Sequence, residues 1–182
     1  MKFFQFVFIA MICVTAVWSC KKDAAVNYTV EKTTRTDTSN NSGNFLATKG
    51  SLDITIGDTT YSFNAAKDSI AFINVNIDSN KYFGITAINQ QHTMSFGISS
   101  PGFAAPQVVN TIAGGQLLFS KSSSGQFTLS QSKGRGLFNQ ISLDQYMQDS
   151  LITSGTFNAV MINKTGGDST IVTAKGSFNL QK

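Results

Sequence analysis

His92 is the only histidine in this chain of 182 residues, and the only two cysteines, Cys13 and Cys20, lie near its N-terminus. A zinc or copper centre assembled from several His and Cys ligands therefore has no ligand set in the body of the chain. Acid–base chemistry is the remaining route. A glycosidase dyad needs two carboxylates about 5 to 9.5 Å apart across a cleft, and Asp68, Asp78 and Asp144 are the candidates among ten acidic residues. Aspartates at predicted turns more commonly serve the turn itself. Asp144 and Asp149 form the one close pair, across a presumed turn. Serine is plentiful, but no GxSxG surrounds any of them, so nucleophilic hydrolase chemistry lacks its local signature. The run DSNKYF fails the calcium-loop pattern, because Tyr82 stands where Asp or Asn is required. On spacing, His92 continues the face of Met94 and Phe96 at a strand's beginning, which reads as a strand-end residue bonded to a neighbouring carbonyl. Nothing calls for a cofactor.

Two loops present side chains suited to contact rather than catalysis. In SPGFAAPQ, Phe103 sits among small residues, either as an apolar tip that enters a partner's groove or as a ring tucked into the core. In KGRG, Arg135 is flanked by glycines and could meet a carboxylate or phosphate; a solvated turn is the plainer reading.

The N-terminus carries the clearest signal. Met1 and Lys2 form a short basic region, Phe3 to Val17 is apolar apart from Gln5 and Thr15, and Val17-Trp18-Ser19-Cys20 ends it before Lys21-Lys22-Asp23. The apolar run is short for a membrane span, which needs roughly 17 to 25 residues. VWSC resembles the lipobox of bacterial lipoproteins, with an aliphatic residue three places before the cysteine and a small residue just before it. The resemblance implies cleavage after residue 19, a thioether-linked diacylglycerol on Cys20, and a protein tethered to a bilayer without crossing it. Lys21 in place of an acidic residue is expected to disfavour inner-membrane retention, which leaves the outer membrane, on its periplasmic face or at the cell surface. The other reading of residues 1–20 is an uncleaved signal anchor.

Cleavage would remove Cys13 and lipidation would occupy Cys20, so the folded body is expected to hold neither disulfide nor free thiol. Stability must then come from a hydrophobic core. The net charge of +4 is spread over single basic residues, with no run beyond Lys21-Lys22, so no electrostatic footprint for nucleic acid is present.

Residues 20–49 are rich in Thr, Ser, Asn and Lys and read as a flexible tether, since such a stretch cannot bury enough apolar surface to offset its conformational entropy. NYTVEK, residues 27–32, is its one strand-like piece. Residues 50–182 read as one β domain. Leu52, Ile54 and Ile56 alternate with polar residues before the Gly57-Asp58 turn, and Tyr61 and Phe63 follow. In SIAFINVNI, Ile70 and Phe72 fall out of phase with Ile73, Val75 and Ile77, which predicts a bulge or a strand buried on both faces. Phe83, Ile85 and Ala87 share a face, as do Met94, Phe96 and Ile98. QLLFS and FTLS are short strands. Residues 137–152 are ambiguous: Leu143, Tyr146, Met147 and Leu151 fit a short helix and Phe138 to Leu143 a strand, and the flanking β segments favour a strand and then a turn at 148–150. GTFNAVMIN and STIVTAKGSFNL form the C-terminal hairpin, with Val172, Ala174, Gly176, Phe178 and Leu180 on one face. About ten short strands and no convincing helix predict an antiparallel all-β domain, a sandwich or a barrel-like sheet.

SCKKD after the leader, ITIGDTTYSFNA, and ITSGTF with AKGSFNL resemble small uncharacterised Bacteroidota lipoproteins. That resemblance implies a β-sandwich body in the cell envelope and assigns no site. Four Asp-Ser/Thr triplets, at Asp58, Asp68, Asp149 and Asp168, look like the O-glycan acceptor motif of exported proteins in that group, and are also ordinary turn dipeptides. Three functions follow as expectations: a non-catalytic envelope module that binds a protein or a glycan, a secreted hydrolase with a carboxylate or serine site, and a scaffold subunit of an outer-membrane complex. The first is favoured. Sugar platforms usually stack on Trp or Tyr, and the chain's one tryptophan, Trp18, leaves with the leader, so protein contact ranks above glycan.

Overall fold

The computed structural model describes residues 43–77, 79–120, 125–131, 138–165 and 168–182. Residues 1–42, with Cys20 and the strand-like run 27–32, and also Asp78 and Arg135, lie outside the described residues. The described residues contain no helix. Their strands are β1 (Phe45–Leu46), β2 (Lys49–Ile56), β3 (Thr59–Asn64), β4 (Ser69–Ile77), β5 (Asn80–Ile88), β6 (Met94–Pro101), β7 (Val108–Thr111), β8 (Gly114–Phe119), β9 (Gln126–Leu129), β10 (Gln140–Met147), β11 (Ile152–Thr165) and β12 (Asp168–Gln181). All pairings are antiparallel, in one curled, barrel-like sheet. The expected hairpins at 56–59, 77–80, 88–94 and 165–168 are present, and residues 140–147 form a strand that ends in a turn.

The sheet order runs β1-β4-β5-β6-β8-β9-β11-β12-β2-β3. The terminal strand β1 is followed in the chain by β2, the last strand but one at the other end of the order, so residues 45–56 pair with β4 at one end and with β12 and β3 at the other. Ala47 donates its N–H to Ile70 of β4 at 2.8 Å, and Thr48 donates to Gln181 of β12 at 2.8 Å. Between them the inward positions change from odd (Phe45, Ala47) to even (Leu52, Ile54, Ile56). Gly50, at φ +100° and tight against the Asn179 carbonyl, absorbs that one-residue slip. The domain therefore begins ahead of Gly50, where the sequence pattern put its start. Phe45 is buried against the Phe72 ring at 5.8 Å and belongs to the core.

The long strand β11 has two partners on one side: its first half pairs with β10 and its second with β9. Between those two partners sit Ser130, just after β9, and Asn139, just before β10. The Asn139 carboxamide ties the two together. Its Nδ2 donates to the Ser130 carbonyl at 2.7 Å and its Oδ1 accepts the Val160 N–H at 2.7 Å, while its backbone carbonyl accepts Ile112 N–H at 3.0 Å. One side chain thus stands in for the missing rung of the ladder, beside a fully buried valine.

Phenylalanine fills the interior. Gly155 lies opposite Phe178, and Phe157 lies opposite Gly176. A Cβ on Gly155 would stand 2.0 Å from the Ser142 carbonyl and 2.8 Å from the Phe178 ring; one on Gly176 would meet the Phe157 ring at 2.2 Å. Each glycine vacates the space that the opposite ring occupies, and Phe157 then stacks on Phe96 across the sheet at 5.4 Å. The buried polar side chains are satisfied locally: Ser100 donates to the Thr111 carbonyl at 2.9 Å, and Thr153 to the Gln145 carbonyl at 3.2 Å.

Replacing Asn139 by Ala removes both carboxamide bonds and strands the buried Val160 N–H. A loss of about 1–3 kcal/mol of unfolding free energy is expected in urea titration, whereas Gln126→Ala, at an exposed rung of β9, should stay within about 0.5 kcal/mol of wild type.

Candidate functional site

The residues singled out for catalysis do not gather. Asp68 sits at the corner between β3 and β4, where Oδ2 accepts the Asn64 N–H at 2.7 Å and Oδ1 accepts the Gln90 N–H at 2.8 Å. Both oxygens are thus engaged by backbone donors that fasten the β3–β4 corner to the β5–β6 turn. His92 lies in that turn with φ 55°, exposed, its N–H bonded to the Asn89 carbonyl at 2.9 Å. It therefore does not continue the inward face of Met94 and Phe96: the left-handed residue breaks the alternation before the strand begins. Asn89 holds the turn, accepting the N–H groups of Thr93 and Met94 at 2.8 and 2.9 Å. Asp144 is exposed on β10, where the register with β11 slips between Leu143 and Gln145. Among the described residues no three of His, Cys, Asp and Glu cluster tightly enough to share a metal ion. The hydroxyl residues of the four Asp-Ser/Thr triplets, Thr59, Ser69, Ser150 and Ser169, are all exposed.

Concavity lies instead on the outer wall. The sequence slip in β4 is neither a bulge nor double burial, because β4 pairs with β5 in unbroken register from Ser69 to Ile77. Ile70 and Phe72 point inward and are buried, whereas Ile73 and Val75 point outward and are half-buried, and Ile77 is exposed. Ile73 stands opposite Gly84, Gly84 opposite Ser99, and Ser99 opposite Gly114, in a row across four strands. Gly84 has to be glycine: a Cβ there would stand 2.2 Å from the Ile98 carbonyl. With no side chain on that floor, Ile73, Val75, Ile77, Tyr82 and Thr86 wall a groove of about 330 Å³ whose lining is almost wholly apolar. A shallower hollow over Gly97, Gly114 and Gln116 continues it through Thr86 and Ser99. Sequence reading found the side chains of this groove and not the groove, since the signal was the out-of-phase triplet Ile73, Val75 and Ile77, which makes sense only beside Gly84 of the next strand.

Phe103 is exposed in the loop after β6, not tucked into the core, and Lys81 Nζ lies 3.4 Å from the centre of its ring. Tyr82 lines both the outer groove and the hollow beneath Phe103. The strand β7, which sequence reading passed over, forms directly after this loop and pairs with β10. At the same end of the sheet Tyr146 is buried inside, its hydroxyl accepting from Asn74 Nδ2 at 3.0 Å, and the Asn44 side chain accepts the Asn74 N–H. Gly43, at φ +69°, passes directly under the Tyr146 hydroxyl. Desolvation holds the Tyr146 phenol above its ordinary 10.0, against the opposing pull of the Asn74 hydrogen bond.

Comparison with family models, curated proteins and solved structures returns no match.

A phenol with a raised folded-state pKa contributes stability that is complete below its unfolded value, about pH 10, and is lost as pH climbs through the folded value. Tyr146→Phe is expected to lose about 1 kcal/mol at pH 7 with the Asn74 bond and to show a shallower decline than wild type above about pH 10. Urea midpoints measured from pH 7 to 11 read both effects; parallel declines would contradict them.

Proposed function

We propose that this chain is a lipid-anchored, non-catalytic interaction module of a bacterial cell envelope, and that its partner is a protein segment seated in the outer groove of β4, β5 and β6. The observation that carries the reading is the division between the two faces of the sheet. The inward face is filled by Phe63, Phe72, Phe83, Phe96, Phe157 and Phe178, while the outward face, where polar residues are the norm, carries an apolar groove over a glycine floor. An apolar lining whose aromatics are Tyr82 and the buried Phe83 favours an apolar protein segment over a stack of sugars. The hydrolase alternative draws little support from Asp68, whose oxygens are taken by backbone donors, or from Asp144 on β10 and His92 in the β5–β6 turn, which do not gather with it.

The anchor rests on the VWSC pattern at Cys20 and on the resemblance to Bacteroidota lipoproteins, which also favours the outer membrane, facing the periplasm or the exterior. Labelling cells with palmitate, together with intact mass of the N-terminus, tests it. Wild type is expected to carry label and to fractionate with membranes, and Cys20→Ala to do neither; identical unmodified termini in both would remove the anchor. For the groove, Val75→Lys is expected to keep the urea stability within about 0.5 kcal/mol while abolishing the crosslinked envelope partner that wild type yields. Binding on a glycan array with no protein crosslink would transfer the function to carbohydrate.

A further inference from the structure

Antiparallel pairing sorts the connections into two ends. Gly43–Asn44, the β4–β5 turn, the loop 102–107, the turn 148–151 and Lys182 lie at one, here called proximal; the turns at 57–58 and 89–93 lie at the distal end. The chain from Cys20 therefore joins the sheet at the proximal end, clasped by Asn74 and Tyr146.

We infer that the proximal end is a second membrane contact, in which Phe103 and Ile77 enter the interface of the bilayer that holds the Cys20 lipid while Lys81 stays at headgroup level. This rests on the lipid-anchor reading. Phe103 is 60% exposed and Ile77 56% exposed, and Tyr82 between them joins their surroundings into one surface. The loop under Phe103 is built, not loose: Gly102 donates its N–H to the Lys81 carbonyl at 2.7 Å, and Asn110 Nδ2 donates to the Pro101 carbonyl at 3.2 Å. The ring is thus held outward, with an ammonium over its face. At a bilayer that pair divides by depth: the aromatic ring enters the apolar boundary, about 5–10 Å deep for interfacial groups, and the lysine stem lets the ammonium reach lipid phosphate. The distal turns at 57–58 and 89–93 hold only Gly, Asp, Asn, Gln, His and Thr, and offer no such tip.

The tether supplies the remaining argument. Between Cys20 and Asn44 lie too few residues to span more than about 86 Å even fully extended, and they attach at the proximal end, so this is the end kept nearest the anchor. Confinement raises the local concentration enough that one ring and one isoleucine suffice for a contact too weak to hold a free protein.

Because the processed chain has no tryptophan, a single substitution places the only such fluorophore. Phe103→Trp and, at the exposed far part of β12, Ile171→Trp are purified with their native N-terminus from membranes and reconstituted in phosphatidylethanolamine–phosphatidylglycerol vesicles with and without brominated acyl chains. Tryptophan at position 103 is expected to emit at shorter wavelength in vesicles and to be quenched at least about twofold more by bromine than at position 171, as interfacial depth requires. A lipid on Cys20 by mass spectrometry with equal quenching at the two positions overturns the contact and leaves the anchor standing. Absence of the lipid overturns both.

Discussion

Residues 45–56 hydrogen-bond to β4 near one end of the strand order and to β12 near the other, and the curled architecture depends on that double engagement. Without Phe45 to Ala47 against β4 and Lys49 to Ile56 against β12, each of those strands would present an open row of N–H and C=O groups. The bridge requires the one-residue slip at Thr48–Gly50, because the segment has to keep its apolar residues inward while it moves from one neighbour to the other. Gly50 allows this through a backbone conformation and an approach to Asn179 that a side chain would block.

Closing the sheet tightly leaves little interior, and aromatic rings take it. The reciprocal pairs Gly155–Phe178 and Phe157–Gly176 place two large rings where four side chains would collide. With the interior filled, the outer wall and the ends are the places where this chain departs from the usual surface composition. Ile73, Val75 and Tyr82 line the wall over Gly84, and Phe103 under Lys81 tips the proximal end. Glycine therefore serves both faces: inside it makes room for rings, and outside at Gly84 it makes the floor of a groove.

Local alternation was enough to place most strands. Leu52-Ile54-Ile56, Phe83-Ile85-Ala87 and the C-terminal face from Val172 to Leu180 point inward as their period of two requires. The misreadings share a cause. His92 was counted with Met94 and Phe96, yet a left-handed residue in the turn ended the alternation. The four residues of β7 carry too short a pattern to stand out after Pro106, and their partner β10 is about thirty positions away. Phe45 looked like part of a polar tether because its contacts, Phe72 and the β4 backbone, are remote in the chain. Asn139 gave no signal at all, since a carboxamide that replaces a ladder rung is indistinguishable in sequence from one in a solvated loop.

Alone, the order of residues determined the class: period-two apolar patterning separated by Gly, Asn and Asp turns commits a chain to antiparallel strands, and each hairpin is decided within a dozen residues. Which faces became interior, where the sheet closed, and what was left outside were decided only by tertiary structure. Those outcomes depend on pairings between residues far apart, such as Phe45 with Phe72, Gly84 with Ser99 and Ile56 with Ala174, and a one-residue difference in register would have turned the same side chains to opposite faces.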